Sequence, residues 1–344
     1  MNKVCIYIVL ILFCNLNTVS CKDNSTVLPK PHESELSALP ETNQLPAAFY
    51  SFTSGSSAYF NAYQKLSDKD SLYTHFKIYH QQSATRNDNL WRVLEGNLVK
   101  YTGSAMIPIQ QILTTGENEF VWRSARPNVG DFTGGYHGDE RIDIAPASKV
   151  TFYADGKAIT YTTNISLTPC NSFYYHQFST MHQSGTGAAD MSKPGYNAIP
   201  GNPIDCYHEK KTTFENNGFT TYNKITWATT VPIDKCYFGI LCVNKEISSE
   251  GINENGVQAI FNSDGTNKLT STKQKIVMKN EAFGIAVSCD AKIVSLPFTP
   301  TLTTFIWDNQ NYHKYYSTIK ATSANPDDVW ETVASIAFSY TKEK

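Results

Sequence analysis

A glycine-rich segment from Asp131 to Arg141 (DFTGGYHGDER) holds residue types that can transfer protons. Its three glycines permit backbone conformations closed to other residues and let a ligand approach closely. His137, with an unperturbed pKa of about 6.5, suits a general base, and the adjacent Tyr136 suits an acid. Glu140 adds a polar group for binding a ligand. The alternative interpretation is a tight turn that carries a surface histidine.

Two arginines precede this segment in the run ENEFVWRSAR, which covers 117–126. Arg123 and Arg126 would bring guanidinium groups to a neighbouring strand or to its end. A guanidinium group binds a carboxylate or a sulfate through paired hydrogen bonds. We therefore expect both arginines to bind an anionic substrate.

A second polar run, CYHEKK, covers 206–211 and is typical of a strand. Because side chains alternate between the two faces of a strand, His208 and Lys210 share one face. His208 is therefore a second candidate for the general base. The alternative is a polar face in contact with solvent.

A third run, NQNYHKYY, covers 309–316. Alternation places Tyr312, Lys314 and Tyr316 on one side and the residues between them on the other. Exposed tyrosines stack on sugar rings, and a lysine pairs with a carboxylate or a sulfate, so this side suits an anionic sugar. The alternative is a set of core tyrosines with hydrogen-bonded hydroxyl groups.

Sequence motifs for cofactors and for common nucleophiles are absent. The chain lacks GxSxG, a P-loop, a dinucleotide-binding fingerprint, HExxH and CxxC. We therefore expect neither a metal nor an organic cofactor. The alternative is a metal held by three histidines from separate strands, such as His137, His176 and His208.

The elements that must position these residues are mostly strands. The chain has 20 Tyr, 18 Phe and 5 Trp among its 344 residues, and aromatic residues favour strands over helices. Short alternating runs recur at intervals of roughly ten residues, as in sandwiches. One pair, at 149–153 and 158–163, flanks an Asp155-Gly156 turn typical of a hairpin. The sequence predicts an all-β protein, with one large β-sandwich domain of jelly-roll type over 46–344.

The N-terminus predicts export. An apolar run from Val4 to Cys14 follows Lys3, and it is too short to span a membrane but typical of a signal peptide over 1–20. The polar, proline-containing stretch 21–45 is typical of a flexible tether. Cys21 is a candidate for lipidation, and an ordinary signal peptide cleaved near Ser20 is the alternative. We expect a cell-surface or outer-membrane lipoprotein, or otherwise a periplasmic or secreted protein, with an N-terminal lipid as its only membrane contact.

The numbers of acidic and basic residues indicate whether the protein can bind nucleic acid. With 29 basic and 31 acidic residues the net charge is −2, and no long basic run occurs. A nucleic-acid-binding protein needs a basic surface to neutralise phosphates, so we expect no nucleic-acid partner.

Two resemblances narrow the function. The segment Thr18-Val19-Ser20-Cys21, followed by the polar tether, resembles the start of surface lipoproteins from Bacteroidetes-type bacteria, many of which handle polysaccharides. The run from Tyr312 to Tyr316 resembles, with a different spacing, the Tyr-x-Lys-x-x-x-Tyr strand of jelly-roll polysaccharide lyases such as alginate lyases. The resemblance implies an acidic polysaccharide as the substrate.

Cleavage beside a uronic acid by β-elimination requires three groups. A cation neutralises the C6 carboxylate, a base takes the C5 proton and an acid protonates the leaving oxygen. The cation could be Arg123, Arg126 or Lys314. The base could be His137 or His208, and the acid could be Tyr136 or Tyr316. Tyr312 and Glu140 complete the expected binding residues. The sequence thus predicts a polysaccharide lyase.

Two other functions remain open. A glycoside hydrolase needs two facing carboxylates about 5–10 Å apart. Asp139 and Glu140 are adjacent, so a more distant partner such as Glu119, Glu209 or Asp143 would be required. A non-catalytic glycan-binding lipoprotein would use the same aromatic residues and arginines without a histidine poised for proton transfer.

Overall fold

The computed structural model describes residues 45–67, 70–115, 117–127, 132–147, 149–185 and 201–340. The predicted signal peptide, Cys21, Asp131 and the predicted tether up to residue 44 lie outside these residues. Strands dominate the described ranges, which confirms the predicted all-β class. In those ranges no helix has the length and apolar character needed to cross a membrane.

The described chain forms 22 strands. The first eleven are β1 (Ala48–Thr53), β2 (Tyr59–Ser67), β3 (Leu72–Ser83), β4 (Asp88–Tyr101), β5 (Met106–Leu113), β6 (Val121–Ser124), β7 (Glu140–Arg141), β8 (Lys149–Ala154), β9 (Lys157–Ala158), β10 (Ile165–Cys170) and β11 (Phe173–His182). The others are β12 (Ile204–Glu215), β13 (Gly218–Trp227), β14 (Val231–Asn244), β15 (Glu250–Asn253), β16 (Gln258–Ile260), β17 (Thr266–Ser271), β18 (Lys275–Asn280), β19 (Ile285–Ser295), β20 (Leu302–Asp308), β21 (Tyr312–Ala324) and β22 (Val329–Tyr340). Single 3₁₀ turns occupy Gly135–His137 and Lys245–Ile247.

All strands except β6 and β7 form two runs of hydrogen-bonded neighbours that face each other. One run is β10-β1-β2-β3-β4-β5-β14-β21-β20-β17, and the other is β9-β8-β11-β12-β13-β22-β19-β18-β15-β16. Rings from both runs meet between them. The Phe76 ring in β3 lies 5.7 Å from Phe214 in β12, 5.4 Å from Phe219 in β13 and 6.1 Å from Phe338 in β22. This shared core confirms the sandwich.

The predicted hairpin at Asp155-Gly156 is confirmed, but its second strand is shorter than predicted. Ala154 pairs with Lys157, and both turn residues have positive φ (50° and 74°), as a two-residue hairpin turn requires. The predicted strand 158–163 ends at Ala158 because the chain then turns inward. The Tyr161 ring packs in the core, 5.3 Å from Phe152.

Several elements meet around β14. Strand β21 pairs along its length with β14, and β6 pairs with another stretch of β14. Trp122 in β6 also bridges to Thr133, which draws the glycine-rich segment towards β14. Strand β7 then pairs with β4 and β11, one from each run. The glycine-rich segment is therefore fixed at both ends, beside β21.

Candidate active site

The glycine-rich segment is held from behind by two carboxylates. The amide of Gly135 donates to Glu140 Oε2 at 3.0 Å, and the amide of Tyr136 donates to Glu119 Oε2 at 2.5 Å. Gly135 has a φ of 50°, and a Cβ atom there would overlap the Glu119 carboxylate. Glycine is required at this position because the backbone lies directly against a side chain.

Gln81 near the end of β3 and Arg86 in the turn between β3 and β4 hold the same segment from the other side. Gln81 Nε2 donates to the Gly135 carbonyl and Arg86 Nη1 to the Tyr136 carbonyl, both at 3.0 Å. The Arg86 guanidinium also lies 4.4 Å from the centre of the Tyr136 ring, and that of Arg92 lies 5.3 Å from it. These contacts place two cations against the Tyr136 ring.

A buried lysine, a glutamate and a histidine form the centre of the site. Lys314 Nζ lies 2.7 Å from Glu117 Oε2, and His137 Nε2 lies 3.0 Å from the same oxygen. The Lys314 side chain is 2% exposed, whereas Glu117 is 20% and His137 is 14% exposed. Lys314 also lies 4.8 Å from the centre of the Tyr316 ring. One carboxylate thus links a residue of the glycine-rich segment to strand β21.

The segment before β6 positions Glu117 by running alongside β14. Cys242 donates through its amide to Asn118 Oδ1 at 3.0 Å and through its thiol to the Glu117 carbonyl at 3.2 Å. Cys242 is also the residue of β14 that pairs with Lys314 in β21. Glu117 and Lys314 therefore meet at a single register position of β14.

The surroundings of these groups set their ionisation. Burial disfavours the Glu117 carboxylate, but His137 and Lys314 outweigh this effect and lower its pKa to about 2. Burial also disfavours the Lys314 ammonium, but Cys242 and Glu117 raise its pKa above the usual range. Burial raises the pKa of Tyr312 to about 12 and raises that of Tyr316 as well. At neutral pH the site holds an ion pair beside two protonated phenols.

Glu119 behaves differently from Glu117. Burial raises the pKa of Glu119 to about 7, against the opposing charges of Arg92 and His137. Its Oε1 atom is buried and has no hydrogen-bond partner. Near pH 7 this carboxyl group is only partly ionised, so the charges of Glu117 and Glu119 together do not balance those of Lys314, Arg86 and Arg92.

A row of aromatic rings extends the site along β14 and β21. Neighbouring ring centres lie 5.2 Å apart for His137 and Phe132, 5.2 Å for Phe132 and Tyr237, and 4.8 Å for Tyr237 and Tyr316. Phe305 lies 5.2 Å beyond Tyr316. Phe132, Tyr237 and Tyr316 are partly exposed, so they offer ring faces and edges to a ligand.

The structure places most of the residues singled out from the glycine-rich segment and β21 in this site. Tyr136 and His137 come from the segment, and Lys314 and Tyr316 come from β21. Tyr312 lies close enough for electrostatic interaction with Lys314, Glu117 and Tyr136. The intervening His313 points away and contacts Ser248 and Asp308 instead.

His208 and Glu140 are not brought into the site. His208 is 2% exposed, with Nδ1 at 3.0 Å from Glu140 Oε1 and Nε2 at 3.0 Å from Asn223 Oδ1. Ser179 Oγ donates to Glu140 Oε1 at 2.7 Å. Burial disfavours the Glu140 carboxylate, but Lys210 and His208 hold its pKa well below the usual range. This network supports the glycine-rich segment and is enclosed from any polymer.

Arg123 and Arg126, the two arginines predicted to bind substrate, form ion pairs with aspartates outside the centre of the site. Arg126 forms an ion pair with Asp205 at 2.8 Å and donates to the Thr230 carbonyl at 2.9 Å. Arg123 forms an ion pair with Asp234, and its guanidinium lies 5.3 Å from the centre of the Phe132 ring. Arg123 therefore lies at the margin of the site, and Arg126 is a structural residue between β6 and β12.

A single group of residues in the described ranges has the geometry to hold a metal ion. Glu117, Glu119 and His137 offer ligand atoms that all lie within 4.8 Å of one another. Lys314 already occupies Glu117 Oε2, and its positive charge opposes a divalent cation at that position. His176, from the three-histidine alternative, lies apart in a pair with Glu209 at 2.9 Å.

The sequence interpretation missed Glu117, Arg86 and Tyr237. Glu117 stands two residues before Glu119, so the two side chains would share a face, and this spacing was the available signal. No local pattern distinguishes Arg86 or Tyr237 from other polar and aromatic residues. They join the site only through the packing of distant strands.

Comparisons with known proteins give distant structural likenesses. No protein-family model matches the chain, and no curated protein matches it. A heparan sulfate lyase from Pedobacter heparinus is similar over 83% of this chain and 36% of its own, with 8% identity and a TM-score of 0.34. A heparinase III is similar over 82% of this chain and 36% of its own, with 8% identity and a TM-score of 0.31.

A third structure is similar over nearly its whole length. The Slr1438 protein from Synechocystis is similar over 88% of this chain and 99% of its own, with 9% identity and a TM-score of 0.35. The chain spans only about a third of the length of the two lyase chains. At this level of similarity the overlaps assign neither a family nor an activity to the chain.

Proposed function

We propose that this protein is a polysaccharide lyase that cleaves an acidic polysaccharide by β-elimination. The observation that carries the proposal is the contact of His137 and Lys314 with one carboxylate, Glu117, beside the protonated phenol of Tyr316. A base, a proton donor and positive charge are the three groups that elimination beside a uronic acid requires. Partly exposed rings next to them suit the faces of sugars.

In the proposed reaction, His137 takes the C5 proton of a uronate residue. The electron pair of the C–H bond forms the C4–C5 double bond, and the bond from C4 to the glycosidic oxygen breaks. Tyr316 donates its phenolic proton to that oxygen, and proton exchange with solvent restores both side chains. No electrons are gained or lost overall, so the elimination needs no redox cofactor, and cationic side chains can supply the positive charge at the C6 carboxylate.

Positive charge at the site would stabilise the anionic intermediate of this reaction. Removing the C5 proton places negative charge on the C6 carboxylate, and cations arranged beforehand stabilise it at low cost. Arg86 is partly exposed beside Tyr136, and Lys314 adds a buried charge behind Tyr316. The low pKa of Glu117 keeps it ionised, so that it can orient His137 and stabilise its protonated form.

One observation favours a glycoside hydrolase instead. Glu117 and Glu119 approach each other within 4.8 Å, and their pKa values are about 2 and about 7. A carboxylate paired with a carboxylic acid is what hydrolysis with retention uses. Against this, Glu117 is already engaged by His137 and Lys314, and the second oxygen of Glu119 is buried. The row of rings alone would serve a glycan-binding protein.

The test is product analysis on a panel of uronate-containing polysaccharides. We expect ultraviolet absorbance from an unsaturated uronate, and a loss of about 10²-fold or more in the His137→Ala and Tyr316→Phe variants. His176→Ala is the matched control. Like His137, His176 pairs with a glutamate, but this pair lies outside the site. Tyr174→Phe controls for the loss of a phenol, because Tyr174 in β11 stacks on Tyr153 in β8, outside the site.

Three outcomes decide between the functions. Unsaturated products that disappear only in the site variants support the lyase. New reducing ends without unsaturation would favour the hydrolase, and Glu119→Gln should then abolish them. Retention on an immobilised polysaccharide without any product would favour a glycan-binding protein.

We also propose that the chain is exported and anchored through a lipid on Cys21. The apolar run Val4–Cys14 and the following Thr18–Cys21 segment support this proposal. Labelling with a fatty-acid analogue should mark the wild-type protein and not the Cys21→Ser variant. A labelled Cys21→Ser protein, or an unlabelled wild type, would contradict it.

A further inference from the structure

Two exposed lysines lie opposite each other on neighbouring strands beside the site. Lys235 in β14 pairs with Lys320 in β21, and residues directly opposite in an antiparallel pair point to the same face of the sheet. Lys235 stands two residues before Tyr237, and Lys320 stands four residues after Tyr316, so both lysines share the face of these rings. The two lysines therefore continue the row of rings along β14 and β21.

This pairing conflicts with a rule of sheet structure. Like charges directly opposite in an antiparallel pair repel each other and destabilise the sheet. Neither Lys235 nor Lys320 forms an ion pair or a side-chain hydrogen bond with another residue of the described ranges. Local conflicts that the surrounding residues leave uncompensated are expected at functional sites. The repulsion between the two ammonium groups therefore points to an anion that binds both.

Arg123 extends the positive charge to a third strand. Arg123 in β6 pairs with Lys235 across the other edge of β14. Its guanidinium forms an ion pair with Asp234 and lies 5.3 Å from the centre of the Phe132 ring. Three cations and one carboxylate therefore lie side by side across β6, β14 and β21, and positive charge predominates.

One aromatic ring separates these cations from the centre of the site. The ring centres of Tyr237 and Tyr316 lie 4.8 Å apart, and the Tyr316 ring lies against Lys314. Lys235 stands on the other side of Tyr237, about 7 Å away along the strand. The Tyr237 phenol interacts electrostatically with both Lys314 and Arg123. A polymer with one unit at Tyr316 would therefore place a nearby unit against the exposed lysines.

The chemistry of this surface fits an anionic substituent on a sugar. Ammonium and guanidinium groups bind carboxylates and sulfates through charge-assisted hydrogen bonds. Positive charges gathered on one face also attract a polyanion from a distance. Because the lysines are exposed on two long strands beside partly exposed rings, a polymer chain can pass along them.

We propose that Lys235 and Lys320, together with Arg123, form a subsite for a carboxylate or a sulfate on a sugar unit other than the one that is cleaved. The inference rests on the proposed function, which it deepens. The substrate would carry negative charge on several of its units, rather than on a single uronate among uncharged sugars.

The test is calorimetric binding of polygalacturonate, chondroitin and chondroitin sulfate to the His137→Ala protein, which lacks the proposed base. The added pair Lys235→Gln/Lys320→Gln should weaken binding of at least one polymer about 10-fold at low salt, because two ion contacts are lost. The remaining affinity should depend less steeply on salt concentration. Lys275→Gln/Lys292→Gln is the matched control, since these two lysines are also exposed but lie on β18 and β19 in the other run of strands.

The three polymers identify the source of the charge. Weaker binding of polygalacturonate or of chondroitin by the Lys235→Gln/Lys320→Gln protein would assign the subsite to a carboxylate. A loss confined to chondroitin sulfate would assign it to a sulfate, because chondroitin has the same backbone without that group.

Lys235→Glu is a second variant, which separates binding from folding. It replaces a pair of like charges with a pair of opposite charges, so the unfolding temperature should stay equal or rise. The affinity should nevertheless fall below that of the Lys235→Gln variant. A variant that lost affinity only by misfolding would unfold at a lower temperature, and that result would contradict the subsite.

Other outcomes would also overturn the inference. These are unchanged affinity in the lysine variants, an equal loss in the control, no binding of any of the three polymers, and binding of anionic phospholipid vesicles in place of them. The lyase is tested separately in the protein that retains His137. Unsaturated products with normal binding by the lysine variants would refute the subsite alone, and weakened binding without such products would refute the lyase alone.

Discussion

The ion pair between Glu117 and Lys314 gives the sharpest quantitative prediction. We consider a double-mutant cycle with Glu117→Gln, Lys314→Met and the double variant. Glu117→Gln leaves the Lys314 ammonium buried, with 2% of its side chain exposed, and without its carboxylate. Breaking a buried pair from one side costs about 3–5 kcal/mol of unfolding free energy. We expect the lower end of that range because Glu117 is 20% exposed.

The lowered pKa of Glu117 gives a second, independent value for the free energy that stabilises its charge. A fall from 4.5 to about 2 corresponds to about 3 kcal/mol of stabilisation of the ionised form. His137 and Lys314 both contribute to this shift. The coupling energy between Glu117 and Lys314 alone should therefore be about 1–2 kcal/mol at neutral pH.

The sign of the pH dependence follows from the lowered pKa. The stabilisation is fully present above the unfolded pKa of about 4.5, and it is lost as the pH falls through the folded value of about 2. The assay is urea unfolding followed by tryptophan fluorescence at several pH values. The coupling energy should decrease across that window, and the surface pair Lys279–Glu281 should show no measurable coupling at any pH.

Two results would refute this reasoning. A coupling energy below about 0.5 kcal/mol at neutral pH would mean that the two side chains do not form a functional pair. A coupling energy that stays constant on acidification would mean that Glu117 does not supply the charge. In either case Lys314 would not be the group that holds the Glu117 carboxylate in the site.

Three further predictions test the support of the glycine-rich segment. Gly135→Ala should abolish activity and destabilise the protein more than Gly156→Ala, because a Cβ atom at Gly135 would overlap the Glu119 side chain whereas one at Gly156 would meet open space. Thermal unfolding and an activity assay measure the two effects. The raised pKa of Glu119 makes the wild-type protein most stable below about pH 4.5, and this stabilisation is lost as the pH rises through about 7. Glu119→Gln should therefore remove about 3 kcal/mol of the pH dependence of the unfolding free energy. A variant that keeps this pH dependence would contradict the assignment. His208→Ala should cost about 3 kcal/mol in urea unfolding because Glu140 stays buried with the Gly135 amide and the Ser179 hydroxyl but without the histidine, and a loss below about 1 kcal/mol would show that the network is not structural.

Local patterns in the sequence were sufficient for part of the fold. Alternation predicts β21 and the sides taken by Lys314 and His313, and Asp155-Gly156 predicts its hairpin. The pairing of β5 with β14, or of β1 with β10, has no such signal. Those contacts depend on how the two runs of strands pack, which no short segment specifies.

The candidate site shows the same division. His137 and Tyr136 were predictable because glycines and polar side chains concentrate in one segment. His208 looked equally suitable, since a polar run cannot reveal which of its faces is enclosed. In the structure β12 lies between β11 and β13, and both nitrogens of His208 are used inside the sandwich. Glu117 was missed because its partners come from two elements that are distant in the sequence.

The arrangement of carboxylates explains why the segment needs both glycines and charges. Glu140 and Glu119 accept the amides of Gly135 and Tyr136 from behind, and Glu117 holds the His137 ring from the front. Each of these bonds is made before any ligand binds, so ordering the segment costs nothing during a reaction. A histidine on a loop without these acceptors would have to be ordered by its substrate. The three carboxylates therefore act as positioning groups, and this role accounts for their burial beside cations better than direct contact with an anionic polymer would.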